Sequence, residues 1–445
     1  MARAKVTRYL AVGAAGALVL GLAACSGGGG GGADADGKAT VVWSTWGSAD
    51  ELKRFDAFNK EFMERHPDIT VKMQPVAGYG DYHPKLLAQL AANKAPDVFY
   101  IGDDQIGQFI DSGRLMPVKE LMESKDSKTA PDDFFPGLFG AAEKDGEYYG
   151  APNDSNPDAL WYDKATLKAA GITEDPATLA ENGEWTTEKF LEMNDKLAAA
   201  GIGGTIFWNY WATHWSWLSS QGADAPYDDS GAFVANEDPE SVELIQEFGD
   251  RVQDGQFIVA DTLPDGAGAD SQFVTGKAGF FIQGRYTIST VREAGTADDV
   301  DVVRWPTPDG AEAPTGVAVS YLAINNATKV KDAAFTFWSE FLSAEGQISR
   351  LSGDGNAVPS VAGADEVVLE DDYPAHAQTL LDMRDIGFVD YAAEAKIPNL
   401  PTDIAEIFLK LYEGKQDAQA TLDEGKQDAQ ATLDEVAELV AEKSE

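Results

Sequence analysis

The run "FWNYWATHWSWL" brings Trp208, Tyr210, Trp211, His214, Trp215 and Trp217 close together in the chain. Flat aromatic faces of this kind stack on the C–H faces of sugar rings, and short polar side chains pair with ring hydroxyls. A buried helix would look similar, because Trp211, Trp215 and Leu218 fall on one helical face. Trp208-Asn209-Tyr210 precedes that face and is the better ligand candidate. Covalent chemistry has less to work with. The four histidines are His66, His83, His214 and His376; two of them precede proline, and none forms His-Glu-x-x-His. The chain has no Gly-x-Ser-x-Gly and no Walker loop, and "GIGG" at 201–204 lacks the spacing of a dinucleotide fingerprint. Glycoside hydrolysis needs only two carboxylates. With 75 acidic residues, pairs such as Asp228-Asp229 or Asp371-Asp372 carry no signal. These residue types point to binding, with no catalytic residue, metal ligand set or cofactor assigned. A surface carbohydrate-active enzyme and a non-transport adhesion or scaffold lipoprotein are the alternatives.

The candidate groups must be held by a scaffold, and the hydrophobic pattern describes one. Residues 38–46 read as a buried strand, 50–64 as a helix (Leu52, Phe55, Phe58, Phe62), and 69–76 as a second strand. Residues 82–93 read as a helix, 95–101 as a third strand, and 105–112 as a helix stopped at Gly113. This alternation predicts an open, mostly parallel α/β sheet, whose ligands sit beyond the carboxyl ends of the strands. Trp46, Tyr79, Asp103 and Asp104 stand just past strands or in the loops that follow. One of the two aspartates is expected to cap the helix from Gln105. Further on, 186–200, 240–254 and 327–343 are helical, and 278–282 and 321–324 are strands. Residues 402–445 read as helix. Within it "GKQDAQATLDE" at 414–424 recurs unchanged at 425–435. Eleven residues are close to three turns, so the duplication is expected to lengthen a surface helix while keeping its face.

The amino terminus has its own logic. Arg3, Lys5 and Arg8 precede an uncharged run from Tyr9 to Ala24, the pattern of a secretory signal. That run is short of the roughly 20 residues of a spanning helix. "LAAC" at 22–25 resembles a bacterial lipobox, in which Cys25 receives lipid and becomes the first residue. Six glycines from Gly27 and the small residues after them make a flexible leash of order 20 Å. The lone cysteine leaves no disulfide and no thiol catalyst. The net charge of −41 excludes a nucleic-acid surface and weighs against anionic ligands. A chain of 445 residues exceeds one hydrophobic core, so two lobes are expected.

Several segments, in order along the chain, resemble one family: "VVWSTWG", "LAQLAANKAPDVFYIG", "FIDSGRLMPVKEL", "YGAPNDSNPDALWYDKATLKAAGI", "FVTGKAGFFIQGRYTIS", "YLAINNATKVKDAAFTFWSEFLSAEGQ" and "IPNLP" with "LYEGKQDAQATLDE". They resemble the extracellular solute-binding proteins of ABC importers, in particular the maltose-binding type. The resemblance implies a two-lobed α/β fold of the periplasmic-binding-protein kind (type II). A cleft between the lobes closes on its ligand about a hinge that the chain crosses three times. The crossings are expected near 153–157, 317–321 and 359. Residues 38–155 and 320–359 would then form the N-terminal lobe, and 156–319 and 360–445 the C-terminal lobe. The resemblance also implies a stacking role for Tyr286, which stands where the family's motif has Trp. Arg285 beside it would pair with a ligand group or bridge the lobes. Asn156 aligns with an acidic cleft residue, Asp103 or Asp104 with a hydroxyl acceptor, and Asn356 lies in a loop resembling the cleft rim. The family's late cleft tryptophan is missing near Ile407, so a maltodextrin held in that way is not expected. The implied partners are a sugar of two or more rings, a membrane permease, and the membrane through Cys25. The implied state is a monomer on the extracytoplasmic, Gram-positive surface.

Overall fold

The structure is a computed structural model in which residues 32, 38–76, 78–263, 268–414 and 428–444 are described. Cys25, most of the glycine leash and the larger part of the tandem repeat lie outside the described residues. The described strands are β1 (Ala39–Thr45), β2 (Ile69–Pro75), β3 (Val98–Gly102), a small hairpin of β4 (Glu143–Lys144) and β5 (Glu147–Tyr148), β6 (Ala151–Pro157), β7 (Ala159–Asp163), β8 (Gly203–Phe207), β9 (Phe257–Val259), β10 (Ala278–Gln283), β11 (Val300–Val303) and β12 (Val317–Ile324).

Two five-stranded sheets form two lobes, in the orders β2-β1-β3-β12-β6 and β11-β7-β10-β8-β9. Each sheet is parallel except for one strand. In the first that strand is β12, antiparallel to both β3 and β6. In the second it is β7, antiparallel to both β10 and β11. Both exceptions follow a passage from one sheet to the other. β6 and β7 are separated by Asp158 alone, and β11 reaches β12 through 304–316. A third segment serves both lobes: Val361 and Ala364 belong to the first core, and Val358, Val367 and Val368 to the second. Val358 pairs with Ser155 through two backbone hydrogen bonds of 2.8 and 2.9 Å.

The local reasons follow from residue type. In β1, "ATVVWST" alternates so that Val41 and Trp43 enter one core. The helix Ala49–Arg65 starts at a capping box between Ser48 and Glu51 and buries Phe55, Phe58 and Phe62 against that face. Phe337 and Phe341 of the helix Lys331–Leu342 close the same cluster, with ring centroids 5.6 and 5.1 Å from Trp43. The indole N–H of Trp43 donates to Asn59 at 3.1 Å, so the buried polar atom is satisfied. The second core gathers Trp161, Trp185, Phe190, Phe207, Trp215, Trp217 and Phe280.

Two expectations are corrected. The helix expected from 327 starts at Lys331, because Asn325 turns the chain by accepting from the Ala327 amide at 2.9 Å. The carboxyl-terminal region is two helices, Leu400–Tyr412 and Ala429–Ser444, and not one. Gly414, with φ near +61°, ends the first. The pairs Lys410–Glu435 and Lys443–Asp403 show that the second runs back along it. The expected lengthening of a helix by the duplication falls on 415–427, outside the described residues. Its second copy supplies Thr432 and Leu433 to the core.

Candidate functional site

The cleft face of the first lobe is built on strand ends. β1 delivers Trp46, whose ring packs edge-on against Tyr79 at 4.9 Å and against Tyr82, His83 and Tyr100 at 5.2 to 5.5 Å. Tyr79 opens the helix Tyr79–Ala91, where a loop was expected. Its hydroxyl donates to Asp104. That contact runs across Gly102 at the end of β3, where a Cβ would fall 1.8 Å from the Tyr79 oxygen and push the ring off Asp104. His83 accepts from the Gly102 amide at 3.1 Å, and burial holds its pKa down to about 4, keeping it neutral.

Neither aspartate after β3 caps the helix that follows. That helix, Ile106–Asp111, has Gln105 at its N-cap and no side-chain cap bond. Asp103 instead accepts from the amides of Val319 at 2.8 Å and Asp104 at 2.9 Å, tying β3 to β12. Asp104 accepts from Tyr79 and, at 2.8 Å, from Gln105. Asp103 is thus committed to the backbone, and Asp104 holds Tyr79 in place.

The second lobe offers a matching face. Tyr286 follows β10 and donates its hydroxyl to Gln283. Gly284 lies beneath the ring; a Cβ there would fall 2.6 Å from a Tyr286 ring carbon and 2.7 Å from the Asn156 side-chain oxygen. Asn156 accepts from the Arg285 amide at 3.0 Å. Tyr210 is half-buried and donates to Asp158 at 2.9 Å, and Thr213 donates to the same carboxylate at 3.1 Å. Asp158 is the single residue between β6 and β7, so the joint between the lobes also orients the aromatic segment. Trp211 is buried in the second core, and Trp208 packs half-buried against it.

Tyr79 and Tyr286 are each 39% exposed and are the only large aromatic side chains exposed among the described residues. One stands on each lobe. Every other described aromatic ring is buried or half-buried, whereas these two face outward over polar groups. Burial is the main reason that the phenols of Tyr79, Tyr210 and Tyr286 sit above the ordinary value, with the charge of Asp104 adding at Tyr79 and that of Asp158 at Tyr210 and Tyr286.

Arg285 takes the bridging role and no ligand-facing one. It is 1% exposed, and its guanidinium donates to five backbone carbonyls: Leu351, Gly355 and Ala357 at 2.9 to 3.1 Å, Gly353 at 3.2 Å and Val367 at 2.7 Å. It clamps the third connecting segment to the end of β10. Asn356 lies within that clamped loop, its side-chain oxygen without a hydrogen-bond partner among the described residues. Three neighbours of the site escaped the sequence reading: Asp158, Tyr321 and Asp390. Asp158 was within reach, one residue past Pro157 in a crossover already singled out. Asp390 has no local motif, because its position depends on a segment that returns to β12 from far along the chain.

Burial raises the carboxyl pKa of Asp158 and Asp103 to about 7, with Asp104 adding to the shift of Asp103. Between the ordinary carboxylate value and about 7, the folded protein therefore holds protons that the unfolded chain has released. Stability must fall as pH rises through that window, by up to about 1.4 kcal/mol per pH unit per group. The ligand-free protein is expected to melt several degrees higher at pH 5 than at pH 8 in circular dichroism, and Asp158→Asn to flatten the slope. A wild-type melting temperature that is level or rises toward pH 8 would refute the assignment.

The sequence profile of the bacterial extracellular solute-binding protein family matches residues 46–348, more than half of the chain. The chain belongs to this family. Membership makes it an extracytoplasmic solute-binding protein. A maltotriose-binding protein of Pyrococcus abyssi is 25% identical over 328 residues, 72% of this chain and 66% of its own length, so the match spans just under two thirds of that relative. An sn-glycerol-3-phosphate-binding periplasmic protein of Brucella melitensis is 24% identical over 82% of this chain and 86% of its own. Among solved structures, an ABC substrate-binding protein of Listeria monocytogenes in complex with cycloalternan superposes with a TM-score of 0.75 at 20% identity. It covers 91% of this chain and 98% of its own. That likeness establishes the fold: two α/β lobes with the cleft between them.

Proposed function

We propose that this solute-binding protein captures a sugar, of two or more rings, between its lobes and delivers it to the permease of an ABC importer. One observation carries the reading: Tyr79 and Tyr286, the two exposed aromatic rings among the described residues, stand on opposite lobes, each braced by a hydrogen bond and a glycine. Two such rings can cover the C–H faces of a sugar from both sides, and closing the lobes strengthens both contacts at once. In this reading Trp46, Asp104, Asn156, Tyr210 and Asn356 supply the surrounding wall, and Trp208 and Trp211 support it. The protein has no catalytic role. The names of the maltotriose-binding relative and the cycloalternan complex favour an oligosaccharide.

The lobes divide at 38–155 with 320–359 and at 156–319 with 360–445. Asp158 and the Arg285-clamped loop act as joints. Signal cleavage before Cys25 and lipidation of its thiol would anchor a monomer outside the membrane on the glycine leash, in keeping with a Gram-positive surface. Among the described residues no helix is long and apolar enough to cross a membrane.

The test is a thermal-shift and calorimetric screen of the chain from Lys38 against mono-, di- and oligosaccharides, polyols, amino acids and glycerol 3-phosphate. A ligand at one hundred times its dissociation constant adds about 2.7 kcal/mol of stability, which a melting curve resolves easily. One neutral sugar is expected to shift the curve. A shift with an amino acid alone would keep solute capture and remove the sugar.

A further inference from the structure

We infer that Asp154 and Arg350 are positioning residues of the hinge: they join the three connections between the lobes on the side of the first lobe, set how freely the lobes turn, and so tune ligand affinity without touching ligand. The effect on affinity rests on the capture reading. The effect on lobe motion does not.

The connections are cross-linked in successive buried layers. In the first, the Ser360 hydroxyl donates to the Pro152 carbonyl at 2.7 Å, and Ser360 exchanges two further bonds of 2.8 Å with the Gln347 side chain. In the second, the Asp154 carboxylate accepts from the Ser320 hydroxyl at 2.8 Å and from the Asn153 side chain at 2.6 Å. Arg350 donates to the Asn153 carbonyl, and its guanidinium lies 3.7 Å from Asp154. In the third, Ser155 and Val358 exchange their backbone bonds. Asp154 is 2% exposed and Arg350 is fully buried, so neither lines the cleft. Burial pushes the Asp154 carboxyl up to about 6 while Arg350 and Ser320 pull it back, which leaves it ionised at neutral pH.

One carboxylate therefore meets β6, β12 and the end of the helix Ala344–Leu351, the three elements from which the connections leave. Arg350 belongs to the first lobe, its guanidinium 4.7 Å from the Phe341 ring in the first core. The carbonyl of the next residue, Leu351, is taken by Arg285 from the end of β10 in the second lobe. Two consecutive residues are thus tied to opposite lobes. Rotation must be absorbed between those ties, in 351–357, and past the Asp154 layer in the other two connections. The strands are already irregular at this layer. The pairing of β6 with β12 shifts register between Ser320 and Tyr321, which leaves Asn153 as the extra residue of a bulge, a place where a strand bends.

A buried ion pair adds little stability over an apolar substitute, but it fixes the groups around it in one arrangement, and loss of one partner strands the other charge. Removing the Asp154 charge should uncouple the connections from one another and widen the range of lobe arrangements. Apparent affinity falls with the fraction of molecules in the binding-competent arrangement.

The test compares wild type with Asp154→Asn, and with Ser320→Ala as a milder variant should Asp154→Asn fail to fold. Hydrogen exchange and small-angle scattering are read without ligand, and calorimetry is read with maltotriose. In Asp154→Asn the amides of 153–157, 317–321 and 352–358 are expected to exchange about tenfold faster while β1 and β10 keep wild-type rates. The radius of gyration is expected to rise, and maltotriose affinity to fall about threefold or more. Ser320→Ala should move all three in the same direction by less. Faster exchange spread evenly over both lobe cores would make the pair an ordinary structural ion pair and overturn the inference, as would wild-type exchange throughout. Faster exchange in the connections with unchanged maltotriose affinity would overturn it too, because hinge freedom would then have no bearing on capture. A wild type that does not bind maltotriose would count against the sugar reading, and exchange and scattering would then decide the hinge role alone.

Discussion

Arg285→Met is expected to destabilise the protein by about 3–5 kcal/mol, the cost of removing one partner from a buried charged network. The guanidinium serves five carbonyls in a segment that runs from Leu351 to Val367 and contributes to both cores. Methionine fills the space but donates nothing, so the carbonyls must find water or stay unpaired. Burial lowers the Arg285 pKa to about 10, so the side chain remains charged at neutral pH and the clamp works across the physiological range. Arg285→Lys is expected to recover only part of the loss, because an ammonium cannot spread its donors over that arc of carbonyls. Melting curves, with limited proteolysis across 352–367, read the effect. Wild-type stability in Arg285→Met would show that the clamp is redundant.

The second large effect is on binding. Tyr79→Ala and Tyr286→Ala are each expected to weaken affinity for the cognate sugar by roughly 1–3 kcal/mol, about five- to 150-fold, from lost apolar contact and stacking. Both rings are 39% exposed, so stability without ligand should change little. The phenylalanine variants keep the ring and should retain most of the affinity. The double alanine variant should lose more than either single one, since the rings lie on different lobes and contact different parts of the ligand. Calorimetry decides the matter. Unchanged affinity in both single variants would move the ligand elsewhere in the cleft.

The two tyrosines show how far local sequence reaches. Tyr286 stood out through the family resemblance of "FVTGKAGFFIQGRYTIS", and Tyr79 because it falls in the loop after a strand. Periodicity found most of the elements, since β-branched and aromatic residues alternate in β1 and recur at helical spacing in 49–65. It failed where a partner distant in the chain decides the outcome. The cap expected from one of Asp103 and Asp104 did not form, and Asp103 accepts instead from Val319, more than two hundred residues on. The tail reads as one helical pattern, yet its last helix, Ala429–Ser444, lies against Leu400–Tyr412, a contact between segments that local periodicity does not encode.

The residues alone therefore determined the α/β character, the absence of recognisable catalytic motifs and the aromatic, hydroxyl-pairing chemistry of the candidate site. Each of these depends on side-chain type and short spacing. Only the tertiary structure decided which aromatic rings are exposed and which fill a core, that Arg285 clamps a loop while Tyr286 beside it stays exposed, and that Asp158 pairs with Tyr210 and Thr213. The physical reason is that burial and hydrogen-bond satisfaction are set by whatever chain arrives opposite. For Arg285 that chain lies about seventy residues away, and for Tyr321 and Trp211 it is the segment around Asp390.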